Sequence, residues 1–161
     1  VETLFKKVLP HARNHLNGDD TFDWQNGRLD TILTTQVYQL QPGESIRGEM
    51  HQDGLPEENI ALTAIWYFDV PDELQGGNLV IGGMFPRYCA SSGFREHPVE
   101  VKNNSLIMFD NLKWLHRVGE MINPTGRMLE RKILTFFILK PGIQGVTSRE
   151  VTVNADILDL A

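Results

Sequence analysis

From residue 31 to residue 140 the apolar positions fall into short runs rich in β-branched and aromatic residues, each closed by a cluster of turn-forming residues. The runs predict strands at 31–41, 46–51, 60–69, 78–81, 99–102, 105–110, 115–119 and 132–140. The separators are Pro42-Gly43, Gly54-Leu55-Pro56, Gln75-Gly76-Gly77, Asn103-Asn104 and Asn123-Pro124-Thr125-Gly126. No helical repeat lies between these strands, so they predict a closed or sandwiched antiparallel architecture. A jelly roll is the natural candidate.

The first thirty residues read differently. Leu4-Phe5-Lys6-Lys7-Val8-Leu9 predicts a short helix that Pro10 interrupts, and Asn17-Gly18-Asp19-Asp20 predicts a turn. His11 and His15 stand at helical i, i+4 spacing, but no carboxylate completes a motif such as H-E-x-x-H, so they read as a solvated face. At the other end, residues 145–161 look like a peripheral strand or tail. The expected organisation is one domain: an N-terminal segment (1–30) packed on a barrel, the barrel core (31–143) and a C-terminal strand or tail (144–161).

A chain of 161 residues is long enough to bury a real core. Its net charge of −6 argues against a broad phosphate-binding surface, which disfavours nucleic acid as a partner. No stretch is long and apolar enough to span a membrane. Cys89 is the sole cysteine, so an intrachain disulfide is excluded and nothing points to an oxidising compartment. A cytoplasmic location is the default. The chain opens on Val1 and carries no apolar signal core, so it reads as a domain of something longer.

The candidate chemistry is carried by His51-Gln52-Asp53 and His116. Side chains two apart on a strand share a face, with Cα atoms roughly 6.5 Å apart, so His51 and Asp53 can grip one ion while Gln52 points away. Gly54 lets the backbone turn sharply straight afterwards. His116, on a later strand, supplies a third ligand. Two imidazoles and one carboxylate suit non-haem Fe(II), whose remaining positions stay open. Arg131 follows fifteen positions after His116 and opens the last strand. A guanidinium grips a carboxylate through two parallel hydrogen bonds, and Lys132 beside it should face the other way.

His51-Gln52-Asp53, Tyr67, Gly76-Gly77-Asn78-Leu79, His116 and Arg131 together resemble the 2-oxoglutarate and Fe(II)-dependent dioxygenases, in particular their prolyl-hydroxylase-like branch. The resemblance covers about residues 31–140. It implies a mainly β fold, the double-stranded β-helix or cupin-like jelly roll, with iron on His51, Asp53 and His116. It also implies 2-oxoglutarate as cosubstrate, with its far carboxylate on Arg131 and a second hydrogen bond from Tyr67, which reads equally as a core aromatic with a satisfied hydroxyl. Dioxygen would be the oxidant, and ascorbate is admitted as an auxiliary reductant. Thr135, on the Arg131 face, would line the cosubstrate pocket or merely pack. Arg127 is nearer the family's usual spacing but sits in a turn, so Arg131 is preferred. A looser resemblance, to oxygenase-like proteins with an H-x-E-G site and an R-K-I-L run, meets Asp53 here in place of the glutamate. The implied reaction is oxidative decarboxylation of 2-oxoglutarate coupled to hydroxylation or related C–H oxidation. Peptidyl side chains, small metabolites and nucleobases are the substrate types such enzymes take, and the acidic charge lowers the last.

Two other readings use the same residues. Two histidines and a carboxylate also bind catalytic zinc, which would make the chain a metal-dependent hydrolase or isomerase on a cupin barrel, but this leaves Arg131 without a task. The domain could also be an inactive barrel kept as a binding module. Substrate choice is expected in loops at the barrel mouth. The longest, 82–97, mixes aromatics and arginines and reads as a lid or substrate platform or, equally, as a solvated loop. His97 reads as surface, Cys89 as inert, Trp114 and Phe137 as barrel core, and Arg117 as a surface or supporting residue. The oligomeric state and the substrate itself, small molecule or protein, are not legible.

Overall fold

The computed structural model describes residues 2–16, 29–83 and 95–140. The turn expected at 17–20, Cys89, most of the candidate lid and the C-terminal tail lie outside the described residues. One helix, α1 (Glu2–Leu16), precedes ten strands: β1 (Thr31–Leu40), β2 (Ser45–Ile46), β3 (Ile60–Asp69), β4 (Gln75–Gly76), β5 (Leu79–Gly83), β6 (Glu96–Val99), β7 (Ser105–Asp110), β8 (Trp114–Val118), β9 (Met121–Ile122) and β10 (Leu129–Leu139). No helix among the described residues is long and apolar enough to cross a membrane.

The strands pair antiparallel throughout and form two layers. One is the sheet β1-β10-β3-β7. The other is built in two pieces, β2-β9-β4 and β6-β5-β8, with His51 bridged to His116 of β8. The pieces are stitched where Gly77 N–H donates to Glu120 O at 2.7 Å and Gly119 N–H to Asn78 O at 2.8 Å. Taking β4 with β5 and β8 with β9 as interrupted single strands, the order is that of a double-stranded β-helix. The mainly β jelly roll is therefore the observed fold.

Period-2 alternation explains how one sheet serves two cores. On β3 and β10, Leu62, Ala64, Leu134, Phe136 and Ile138 point outward and pack with Val8 and Ala12 of α1. Ile65, Tyr67 and Ile133 point inward, against Leu79 of β5 and Phe109 of β7. Covered on both faces, β3 is almost continuously apolar.

Several expectations need correction. Pro10 does not end the helix: α1 runs through it to Leu16. The proline forfeits one helical hydrogen bond, but its ring sits on the exposed face while Val8 and Ala12 are buried on the sheet, and that packing carries the helix past it. The strand expected at 46–51 shrinks to β2, after which only isolated pairings follow, Gly48 N–H to Val118 O at 3.0 Å and the His51–His116 bridge. The strand expected at 99–102 lies earlier, at Glu96–Val99, and includes Pro98. It tolerates the proline because, among the described residues, β6 is an edge paired only with β5. β10 begins at Leu129, which places Arg131 inside the strand rather than at its start. Trp114, expected in the core, is 39% exposed. Arg117 is buried and paired with Glu96 at 2.6 Å, bridging β8 to β6 across β5. His15 is not merely solvated, since its ring lies 3.2 Å from the Asp110 carboxylate of β7.

Candidate metal centre

His51, Asp53 and His116 converge at the open end between the layers, and one ligand atom from each lies within 4.8 Å of the others. His116 reaches the site from β8, buried against the Phe109 ring at 4.7 Å between centroids. His51 faces it across the bridge, with ring centroids 4.4 Å apart. Asp53 sits between the imidazoles, Oδ1 3.6 Å from His51 Nε2 and Oδ2 3.5 Å from His116 Nε2. His51 Nδ1 donates to the Glu49 carbonyl at 2.9 Å, which leaves Nε2 turned inward, bonded to Asp53 when protonated and able to ligate a metal once that proton is lost. Two imidazole nitrogens and a carboxylate oxygen at this spacing fit a divalent transition metal and leave one side of it uncovered.

The carboxylate is held as well as placed. Thr63 Oγ1, fully buried on β3, donates to Asp53 Oδ2 at 2.6 Å. The turn after the ligand depends on Gly54, whose φ is +73° and whose Cβ would meet Ile60 and Glu58 at 2.5 and 2.6 Å. Burial disfavours the ionised form of Asp53, but hydrogen bonds from His116, His51 and Thr63 outweigh it and hold the carboxyl well below the usual range. The hydrogen bond to Asp53 correspondingly raises the His51 imidazole above its ordinary value.

A cleft of about 100 Å³ opens on this cluster, walled by Thr34, Gln36, Tyr38, Ile65, Thr135 and Phe137 among others. Tyr38 and Tyr67, which also face it, bracket Arg131, with the guanidinium carbon 5.6 Å and 4.7 Å from their ring centres. Arg131 is 1% exposed. Its Nη1 donates to the Gly77 carbonyl at 2.6 Å and contacts the Met121 sulfur at 3.0 Å. Nε and Nη2 are buried and have no hydrogen-bond partner among the described residues. Gly77 is what admits the guanidinium: with φ +75°, a Cβ there would lie 2.7 Å from Nη1 and 2.5 Å from Met121 Cγ. Burial pushes the Tyr67 phenol up to about 12 against the pull of the Arg131 charge, and it raises Tyr38 too.

The sequence-predicted residues thus divide cleanly. His51, Asp53 and His116 form one cluster, Tyr67 and Thr135 line its cleft, and Arg131 lies behind the tyrosines. Arg127 is exposed and paired with Glu73 at 2.7 Å. Lys132 faces away from Arg131 and pairs with Asp69 at 2.9 Å. Phe137 is half-buried on the cleft wall rather than in the core. His97 is exposed on β6 and His11 on α1. Sequence reasoning missed Tyr38, Thr63 and Asn111. Thr63 shares the face of Ile65 and Tyr67, a signal present in the alternation. Tyr38 is the cross-strand partner of Arg131, which becomes visible only once β1 is paired with β10.

Comparison with known proteins leaves the family open. No family model and no curated protein sequence matches the chain. Among solved structures, the chain is similar to a prolyl-4-hydroxylase from Pseudomonas putida, at 22% identity and a TM-score of 0.42, over 70% of this chain and 54% of that one. A second similarity is to a protein of Bacillus endospore appendages described as disulfide-linked pili, at 10% identity and a TM-score of 0.29, over 71% of this chain and 93% of that one. The match thus spans about half the length of the hydroxylase chain, 54%.

Proposed function

We propose that the chain is an Fe(II)- and 2-oxoglutarate-dependent dioxygenase that hydroxylates, or otherwise oxidises at a C–H bond, a small-molecule or protein substrate. The observation that carries this is the pairing of a two-histidine, one-carboxylate cluster with a buried arginine whose Nε and Nη2 are unpartnered. Buried polar groups are almost always satisfied, so two orphaned donors on one guanidinium point to a ligand. Nε and Nη2 form one edge of the guanidinium, and that edge matches the two oxygens of a carboxylate. A dicarboxylic keto acid would have one end at the metal and the other on this edge.

The chain's own groups divide the work. His51 Nε2, Asp53 and His116 Nε2 would hold the iron from one side. Thr63 orients the Asp53 carboxylate and, after the His116 and His51 imidazoles, adds to what keeps it ionised. Tyr67 stays protonated at neutral pH and so remains a hydrogen-bond donor beside Arg131. Ile65, Leu79, Ile133 and Phe137 exclude water from the cleft, which strengthens the Arg131 contact. Bound iron, 2-oxoglutarate and dioxygen supply the oxidising power, and the protein supplies orientation.

Metal analysis of anaerobically prepared protein, coupled to a succinate-release assay, tests the proposal. Iron binding with oxygen-dependent succinate formation that is lost in His116→Ala supports it. Zinc retention with no consumption of 2-oxoglutarate favours a hydrolase, and no metal uptake at all favours a binding module.

A further inference from the structure

The segment that carries two of the three candidate ligands is hardly a strand at all. Beyond the His51–His116 bridge it makes no further ladder pairing with β8, yet the Asp53 side chain is only 11% exposed and lies between both imidazoles. Something other than the sheet must hold it.

We propose that Asn111 is the positioning residue that fixes Asp53 as a ligand before a metal binds. Asn111 follows the end of β7 and is 2% exposed. Asp53 N–H donates to Asn111 Oδ1 at 3.0 Å, and Asn111 Nδ2 donates back to the Asp53 carbonyl at 3.0 Å. One side-chain amide thus takes both backbone polar groups of Asp53, the two-bond pattern that a residue in a neighbouring strand would have supplied. Nδ2 also donates to the Ile60 carbonyl at 3.2 Å, so the same amide ties both ends of the 53–60 loop. Asn111 itself is anchored: its N–H donates to Ala61 O at 2.9 Å, and Gln52 Nε2 donates to its carbonyl.

The residue type matters. Aspartate would present an oxygen to the Asp53 and Ile60 carbonyls where donors are needed, and glutamine is a methylene too long for the reciprocal pair. The inference rests on the metal reading of the His51, Asp53 and His116 cluster and deepens it. Asn123 provides an internal comparison. It is equally buried and donates to the Leu40, Gln41 and Arg127 carbonyls, but it contacts no candidate ligand.

The test is Mn(II) affinity by anaerobic calorimetry on the full chain, alongside thermal unfolding of the metal-free protein. Asn111→Ala should weaken Mn(II) binding by about 10–100-fold while the metal-free protein keeps its circular dichroism spectrum. Asn123→Ala should lose thermal stability and keep wild-type Mn(II) affinity. If Asn111→Ala does not fold, Asn111→Ser and Gln52→Leu, the latter at an exposed position, carry the same comparison with smaller losses. Wild-type affinity in the Asn111 and Gln52 variants, with binding abolished in His116→Ala, overturns this inference and leaves the metal site standing. A wild-type protein that takes up no Mn(II) overturns both.

Discussion

Replacing Arg131 by methionine should make the metal-free protein more stable and the ligand-binding protein worse. In the wild type, Nε and Nη2 are buried without partners, and each such donor costs roughly 1–3 kcal/mol, so together they oppose folding by about 4 kcal/mol at the midpoint. Arg131→Met removes that cost. It also strips the Gly77 carbonyl of its 2.6 Å donor, a loss of about 2 kcal/mol, and abolishes the contacts with the Tyr38 and Tyr67 rings, a loss of about 1 kcal/mol. The net is a gain of about 1 kcal/mol, which for a domain of this size raises Tm by roughly 2–4 °C. Methionine is unbranched and adapts to an irregular space, so little overpacking is expected. For 2-oxoglutarate the sign reverses. With the cosubstrate carboxylate on Arg131, as proposed, two charge-assisted hydrogen bonds at about 1.5–3 kcal/mol each would be lost, which is at least a hundredfold in Kd. The assay is differential scanning fluorimetry of the metal-free proteins, followed by the same melts with Fe(II) and rising 2-oxoglutarate. Added cosubstrate should lift the wild-type Tm and leave that of the variant unmoved. A variant that is less stable than wild type and still gains stability from 2-oxoglutarate would make Arg131 a structural cation and not a ligand-binding one.

Other consequences are separable from this one. Gly77→Ala places a Cβ at φ +75° against Met121 and Arg131, and should cost roughly 2 kcal/mol in denaturant unfolding while weakening 2-oxoglutarate binding. Thr63→Val, nearly isosteric, removes the hydroxyl from Asp53 Oδ2 and should lower Mn(II) affinity about tenfold by calorimetry with little change in fold. Pro10→Ala restores a helical N–H on an exposed face and should stabilise the protein by roughly 1–3 kcal/mol, measured by urea unfolding. Burial works against ionisation of Asp110, but Lys113, His15 and the Leu112 N–H prevail and lower its folded value. Its contribution is therefore present above the unfolded carboxyl range near pH 4 and lost as pH falls through the lower folded value. With both partner side chains largely exposed, that contribution is at most about 1 kcal/mol, and the stability gap between wild type and Asp110→Asn should shrink between pH 7 and pH 3.

Strands with strong alternation were legible from the chain. The runs at 60–69 and 105–110 match β3 and β7 to the residue, because β-branched and aromatic side chains there follow clear turn signals, Gly54-Leu55-Pro56 and Asn103-Asn104. The helix was harder, since Pro10 is a local signal and the burial of Val8 and Ala12 on the sheet is a tertiary one. The two-residue strands β4 and β9 carry no periodicity and exist only through pairing with each other and with β2. Ligand convergence was legible because His51 and Asp53 are neighbours in sequence, whereas Tyr38 and Asn111 enter through cross-strand register and a turn. Trp114 misled because aromatic character was read as burial. β8 is short, and its first residue lies at the exposed end of the strand.

The proposed metal cluster and Arg131 would bind one ligand between them. Anaerobic calorimetric titration of 2-oxoglutarate into the protein, with and without Fe(II), tests it most directly. Saturable one-to-one binding that needs Fe(II) and is lost in both His51→Ala and Arg131→Met is the expected result. Binding that is indifferent to the metal and to Arg131, or no binding to the iron-loaded wild type, would contradict it.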